Sequence, residues 1–193
     1  MKTLVAVLMI FTLGALNAQK GSFYLGGNVG FNSTSEKVGN NDKKTTSNWA
    51  LSPEIGTWLS DNLQAGIALN IGGASNDFAS TNLVGATLYA RNWWKPGQSF
   101  RPFVGLNLSY STGKRTLKNS NYENKYNSLG ANLNAGFGYS LSEKWAVIGS
   151  FGFLGFESGK SEDTAGVETT SSDFGFDVST LGNRFNVGFY YTL

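Results

Sequence analysis

The chain alternates between stretches in which every second residue is apolar and polar stretches that separate them. Residues 128–141 show the pattern best, since Leu129, Leu133 and Phe137 share one parity while Ser, Asn and Gly fill the other. A helical repeat of 3.6 residues would mix these two sets. Similar alternation across residues 22–32, 49–59, 63–71, 100–110 and 185–193 predicts an all-β protein.

Three further segments have the composition of strands but a weaker alternation. Across residues 82–92 we assign Val84, Ala86, Leu88 and Ala90 to the apolar face, and across residues 145–156 we assign Val147, Phe151 and Phe153 to it. Near the end of the chain, apolar residues change parity between Val178 and Phe185. A β-bulge near Thr180 would reconcile the two phases.

Polar connections of two sizes separate these strands. Three are tight and cover residues 60–62, 95–99 and 142–144, whereas four are long and cover 33–47, 72–81, 113–127 and 157–173. Seven connections join eight strands, and long and short ones alternate along the chain. This order places all long connections at one end of an antiparallel up-and-down barrel of about eight strands.

The first residues have the features of an export signal. Lys2 precedes the apolar run from Leu4 to Leu16, which is short for a membrane-spanning helix, and Ala18 offers a small residue before a cleavage point. We predict a cleaved signal peptide at 1–18 and one barrel domain at 19–193. The alternative is an N-terminal anchor helix that is retained.

The distribution of charged and aromatic residues indicates which face of the barrel lies outside. Charged strand residues such as Glu54, Arg101, Asp177 and Arg184 take the polar parity, which many glycines share. Aromatic residues gather near strand ends, as in the interfacial girdles of membrane barrels; they are Trp49, Trp58, Trp93, Trp94, Phe100, Tyr110, Tyr139, Trp145 and Tyr191. We therefore predict a transmembrane barrel with a small, polar lumen. The alternative is a soluble lipocalin-like barrel with an apolar interior.

The signal peptide, the alternating connections and the closing strand together resemble the outer-membrane β-barrel family of small eight-stranded proteins, similar to OmpX and to the membrane domain of OmpA. Members of this family end in an alternating strand that the barrel-assembly machinery recognises, commonly closing on Phe. The matching residues here are Phe185, Val187, Phe189, Tyr191 and Leu193, so the chain departs from that pattern at its last residue.

Composition narrows the chemistry. The chain has no Cys and no His, which removes the commonest nucleophile activation and the commonest metal ligands. We expect no enzyme, no catalytic or metal site and no cofactor, and the net charge of +2 does not favour nucleic-acid binding. The inward charges predict a structural ion network in the lumen, which comprises Glu54, Arg91, Arg101 and Arg184.

These observations predict an integral outer-membrane protein that is not an enzyme. Its long loops would serve envelope integrity or surface interaction, and its partners would be outer-membrane lipid and lipopolysaccharide, the barrel-assembly machinery and a surface ligand of the loops. The alternative function is a narrow channel or a small-molecule-binding barrel.

Overall fold

A computed structural model describes residues 21–36, 44–94, 98–118, 120, 122–176 and 186–193, with the side chains at 36, 152, 153, 176 and 186 excepted. All regular structure in this part of the chain is β-strand: β1 (Phe23–Glu36), β2 (Lys44–Trp58), β3 (Leu63–Ser75), β4 (Ala79–Trp93), β5 (Phe100–Leu117), β6 (Glu123–Ser140), β7 (Trp145–Asp163), β8 (Glu168–Phe176) and β9 (Asn186–Thr192). It contains no helix long and apolar enough to cross a membrane. The predicted signal peptide, Arg184 and Phe185 lie outside the described residues.

The strands form one closed antiparallel sheet. Each strand from β1 to β7 pairs with the next, and β9 closes the ring by pairing with both β7 and β1. β8 and β9 share the eighth position, because β8 pairs with the Leu154–Glu162 part of β7 and β9 with the Trp145–Ser150 part. The fold is therefore the predicted eight-stranded antiparallel barrel.

An apolar band surrounds the barrel. Outward-facing Val29, Phe31, Leu129 and Phe189 are each more than half exposed, which would be costly in water. On β5 the band runs from Phe100 to Tyr110, about 33 Å along the strand and about 25 Å in height at the usual tilt. That height matches the lipid-facing band of outer-membrane barrels.

Two of the predicted tight turns are present, and in both a serine hydroxyl accepts hydrogen bonds from backbone amides of the turn. Ser60 follows β2, and its Oγ accepts hydrogen bonds from the amides of Asn62 and Leu63 at 3.3 and 3.1 Å. Ser142 follows β6 and accepts in the same way from the amides of Lys144 and Trp145. A serine at the start of each turn satisfies amides that the sheet leaves free.

Three of the predicted long loops are mostly paired strand. The β3–β4 turn needs only residues 76–78, closed by Asn76, and the β7–β8 turn needs only residues 164–167, closed by Asp163. β5 ends at Leu117 and β6 begins at Glu123, and the Leu117 amide donates to the Tyr122 carbonyl at 3.1 Å. The predicted boundaries were too wide, since a backbone ladder continues wherever a partner strand is present, whatever the polarity of its side chains. The barrel therefore extends well beyond its apolar band.

The phases of the two weakest strands are also resolved. Val84 of β4 is exposed on the apolar face, as predicted, while Tyr89 points inwards and is buried. In β7 the pairing with β6 shifts, because Leu133 pairs with Leu154 but Asn134 pairs with Gly152. Phe153 is thus an extra residue, and this bulge explains why apolar residues of β7 occupy both parities.

Candidate functional site

Glu54 and Arg91 form a buried ion pair inside the barrel. Arg91 Nη1 donates to Glu54 Oε1 at 3.0 Å and Nη2 donates to Oε2 at 3.3 Å, and the two side chains are only 8% and 4% exposed. Two parallel hydrogen bonds of this kind fix both planar groups in one geometry. Gln64 Oε1 extends the network, accepting from Arg91 Nη1 at 3.4 Å and from Trp93 Nε1 at 3.2 Å.

Aromatic side chains pack around this ion pair. The Arg91 guanidinium lies 4.1 Å from the centre of the Tyr89 ring, and the rings of Phe103 and Tyr190 lie 5.6 and 5.7 Å away. Tyr24 is 1% exposed, and its hydroxyl shares a 2.5 Å hydrogen bond with that of Tyr89. Buried aromatics and a desolvated ion pair together fill this section of the lumen, which we call the plug.

The aromatic residues of the plug correct two sequence predictions. The lumen was predicted to hold small and polar side chains, yet Tyr24, Tyr89, Phe103 and Tyr190 are buried in it. Trp58 and Trp93 were assigned to the interfacial girdle. Instead Trp93 is 3% exposed and Trp58 packs partly buried against the same cluster, because both occupy inward-facing positions next to the tight turns.

Glycines directly opposite the aromatics make room for them. A Cβ atom at Gly56 would overlap the Tyr24 hydroxyl, and one at Gly66 would overlap that of Tyr89. The cross-strand register sets four such pairs around the plug, namely Tyr24–Gly56, Tyr89–Gly66, Phe103–Gly136 and Tyr190–Gly26. Each ring lies flat over the neighbouring strand, so eight strands enclose large side chains without strain.

Arg101, the other described residue of the predicted charge network, makes its contacts elsewhere, while Arg184 lies outside the described residues. Arg101 Nη2 donates to the Asp61 carbonyl at 3.0 Å, and its guanidinium lies 4.8 Å from the Trp58 ring. It therefore links β5 to the turn between β2 and β3. Of the predicted assembly segment, Val187, Phe189 and Leu193 face outwards on or just after β9, and the Tyr191 ring lies 5.0 Å from that of Trp145.

The far half of the lumen, which is the half away from the tight turns, is more open than the plug and is lined by hydroxyl and amide groups. Its cavity measures about 220 Å³ and lies among Ser111, Ser128, Tyr126, Glu157 and Ser171. No group of three or more residues able to hold a metal ion occurs in the described ranges.

Known proteins share this architecture. The family model described as "Outer membrane protein beta-barrel domain" matches residues 3–182. The N-terminal β-barrel domain of Pseudomonas aeruginosa OprF superposes with a TM-score of 0.50 at 17% identity, covering 90% of this chain and 99% of that one. Escherichia coli outer membrane protein W gives 0.50 at 18%, with 90% and 98% covered, and Neisserial surface protein A gives 0.50 at 13%, with 89% and 97% covered. No curated protein matches the sequence.

Proposed function

Since this chain belongs to the family of outer-membrane β-barrel domains, we propose that it is a non-enzymatic barrel with a closed lumen, whose polar strand ends serve envelope integrity or surface contacts. The family places the protein in the outer membrane. The outward apolar band of the barrel agrees with that location. The outward apolar band argues against a soluble lipocalin-like barrel, because such a barrel would turn its apolar face inwards.

The plug is the observation that supports a closed lumen. A solute crossing the barrel would have to separate the buried pair of Arg91 and Glu54 and displace the rings around it. Leaving either charge unpaired in that setting is strongly unfavourable. An eight-stranded barrel filled by side chains in this way is a scaffold and not a diffusion pore.

Planar-bilayer recording tests the closed lumen. We expect the purified, refolded protein to produce no steady single-channel steps. The double variant Glu54→Ala/Arg91→Ala is the matched control, because it removes both charges together and leaves neither unpaired. Steps that appear only with the double variant would assign the closure to the ion pair. Steady steps from the parent protein would overturn the proposal and favour the narrow channel.

The cavity in the far half of the lumen favours a second candidate function. Its volume of about 220 Å³ and its hydroxyl lining suit a small polar molecule better than an apolar one. In that case the barrel would bind a ligand from its open end while the plug blocks passage. Isothermal titration with small polyols, compared between the parent and Tyr126→Phe, would detect such binding.

Orientation and assembly complete the proposal. The end with the tight turns and both sequence termini would face the periplasm, and the extended polar strand ends would face the exterior. The alternating outward residues of β9, from Val187 to Leu193, would be the segment that the barrel-assembly machinery recognises. Chemical labelling of single cysteines placed at Glu143 and Asn76 on intact cells would report which end is outside.

A further inference from the structure

Arg91 in the plug has one buried donor that the ion pair does not use. Its terminal nitrogens donate to Glu54 and Gln64, whereas its Nε has no hydrogen-bond partner in the described part of the chain. Every nitrogen of a guanidinium group carries a donor, and a buried donor without an acceptor has lost its hydration without replacement. The described protein groups therefore satisfy Arg91 only in part.

An acceptor that also lacks a partner lies two strands away. Asn134 of β6 has the inward parity and is only 8% exposed, and its Oδ1 has no hydrogen-bond partner among the described residues. The strand register places Arg91, Gly105 and Asn134 in one row across β4, β5 and β6. A buried donor and a buried acceptor thus stand on either side of the same glycine.

Gly105 allows these two side chains to approach each other. A Cβ atom at this glycine would overlap Asn134 Oδ1 and would lie 3.3 Å from Arg91 Cγ, so both side chains extend over it. On its other side Asn134 stands opposite Gly152, next to the β7 bulge. Glycine therefore borders Asn134 on both neighbouring strands, and neither strand offers a side chain at the paired position that could donate to its carbonyl oxygen.

A row of polar side chains on β5 and β6 connects this position with the cavity in the far half of the lumen. Ser111 and Ser128, which line the cavity, share a hydrogen bond of 2.8 Å. Nearer the plug, Asn107 Nδ2 donates to Asn132 Oδ1 at 2.8 Å, and Asn132 is the inward residue next to Asn134 on β6. Water from the cavity therefore has a polar surface to follow as far as Asn134.

We propose that the plug binds an internal water molecule, which accepts a hydrogen bond from Arg91 Nε and donates one to Asn134 Oδ1. Water fits because it is both donor and acceptor, and because Tyr24 and Phe103, each 1% exposed, pack the plug too tightly for a larger ligand. This inference rests on the proposed closed lumen and adds a ligand to it. The bound water replaces hydration that Arg91 has lost, without opening a path through the barrel.

Nuclear magnetic resonance of the refolded protein in detergent micelles tests this site. We expect the Arg91 Nε–H proton, recognised by its contacts with the Tyr89 ring, to show a nuclear Overhauser effect to water. The variant Asn134→Leu has a side chain of similar size without an acceptor and should lose this effect. Asn48→Leu is the matched control, because it makes the same exchange at an exposed inward position towards the far end, and it should retain the effect.

The measurement on the parent protein decides the proposal even if a variant does not fold. Absence of the effect in the parent would overturn the site. A signal with the sign of chemical exchange would also overturn it, because Nε–H would then reach bulk water. An effect unchanged in folded Asn134→Leu would remove Asn134 from the site and overturn the proposal as stated. A parent protein that lacks the effect but is silent in planar-bilayer recording would separate failure of this site from failure of the closed lumen.

Discussion

Two opposite charges buried inside a barrel must stabilise each other. Glu54 and Arg91 are almost fully removed from water, and their bidentate contact together with Gln64 replaces the lost hydration. If one partner loses its charge, the other remains buried without compensation. The pair therefore controls the stability of the lumen more than any single exposed ion pair does.

Neutralising Glu54 should destabilise the barrel. We expect Glu54→Gln to lower the free energy of unfolding by about 3 kcal/mol, because the Arg91 charge stays buried. The temperature at which the folded gel band disappears measures this loss. Glu143→Gln, in an exposed turn, is the matched control and should leave that temperature unchanged.

The double variant Glu54→Gln/Arg91→Gln distinguishes charge from packing. Removing both charges leaves none unpaired, so this variant should recover part of the lost stability. If Glu54→Gln melted like the parent, the ion pair would have no stabilising role.

The inward position of Glu54 followed from parity, whereas the weak alternation around Arg91 did not settle its face, and the aromatic surroundings of the pair were not predicted. Alternation along one strand places Glu54 on the polar face without reference to other strands. By contrast, the space for Tyr24 depends on Gly56 in the neighbouring strand, and only the cross-strand register brings them together. Of the aromatic residues in this cluster, Trp58 and Trp93 were predicted to lie at the lipid interface because they are next to turns.

At the scale of an element, one extra residue in β7 interrupts the alternation of apolar and polar positions by which a strand is recognised in the sequence. Its apolar residues occupied both parities in the sequence because Phe153 is inserted opposite the step from Leu133 to Asn134. Strand ends were hidden for a related reason, since Ser, Thr and Asn resemble loop residues whether or not their backbone is paired. The alternation of apolar and polar residues identifies strands within the apolar band, where contact with lipid requires it. Beyond that band both faces of a strand are polar, so the alternation no longer marks the strand.

Deleting Phe153 should preserve the barrel. The deletion joins Gly152 to Leu154 and gives β7 and β6 a continuous register, with Leu154 still facing outwards. We expect a folded gel band and a transition temperature close to that of the parent. Deletion of Asn107 from the regular strand β5 is the control, because it turns every later residue of that strand to the opposite face and should prevent folding. Loss of folding in both deletions would show that the bulge is required.

At the scale of the whole molecule, ring closure should govern resistance to detergent. β9 joins β1 as well as β7, so the sheet is closed at the level of β9 and offers no free strand edge there at which unfolding begins easily. We expect the unboiled protein from an outer-membrane fraction to migrate differently from the boiled protein in SDS gels. An identical mobility, with the protein in the soluble fraction, would contradict a closed membrane barrel.

The plug also determines where an electric field acts. If the plug closes the lumen as proposed, electrolyte can enter the open, polar far half but cannot pass the plug. Any voltage across the membrane then falls mainly over the plug, and a single charge crossing 100 mV changes in energy by about 2.3 kcal/mol. Because Glu54 and Arg91 carry opposite charges, the field exerts almost no net force on them as a pair. It can only turn the pair, against the packing of the surrounding rings, so a barrel closed in this way would respond little to voltage.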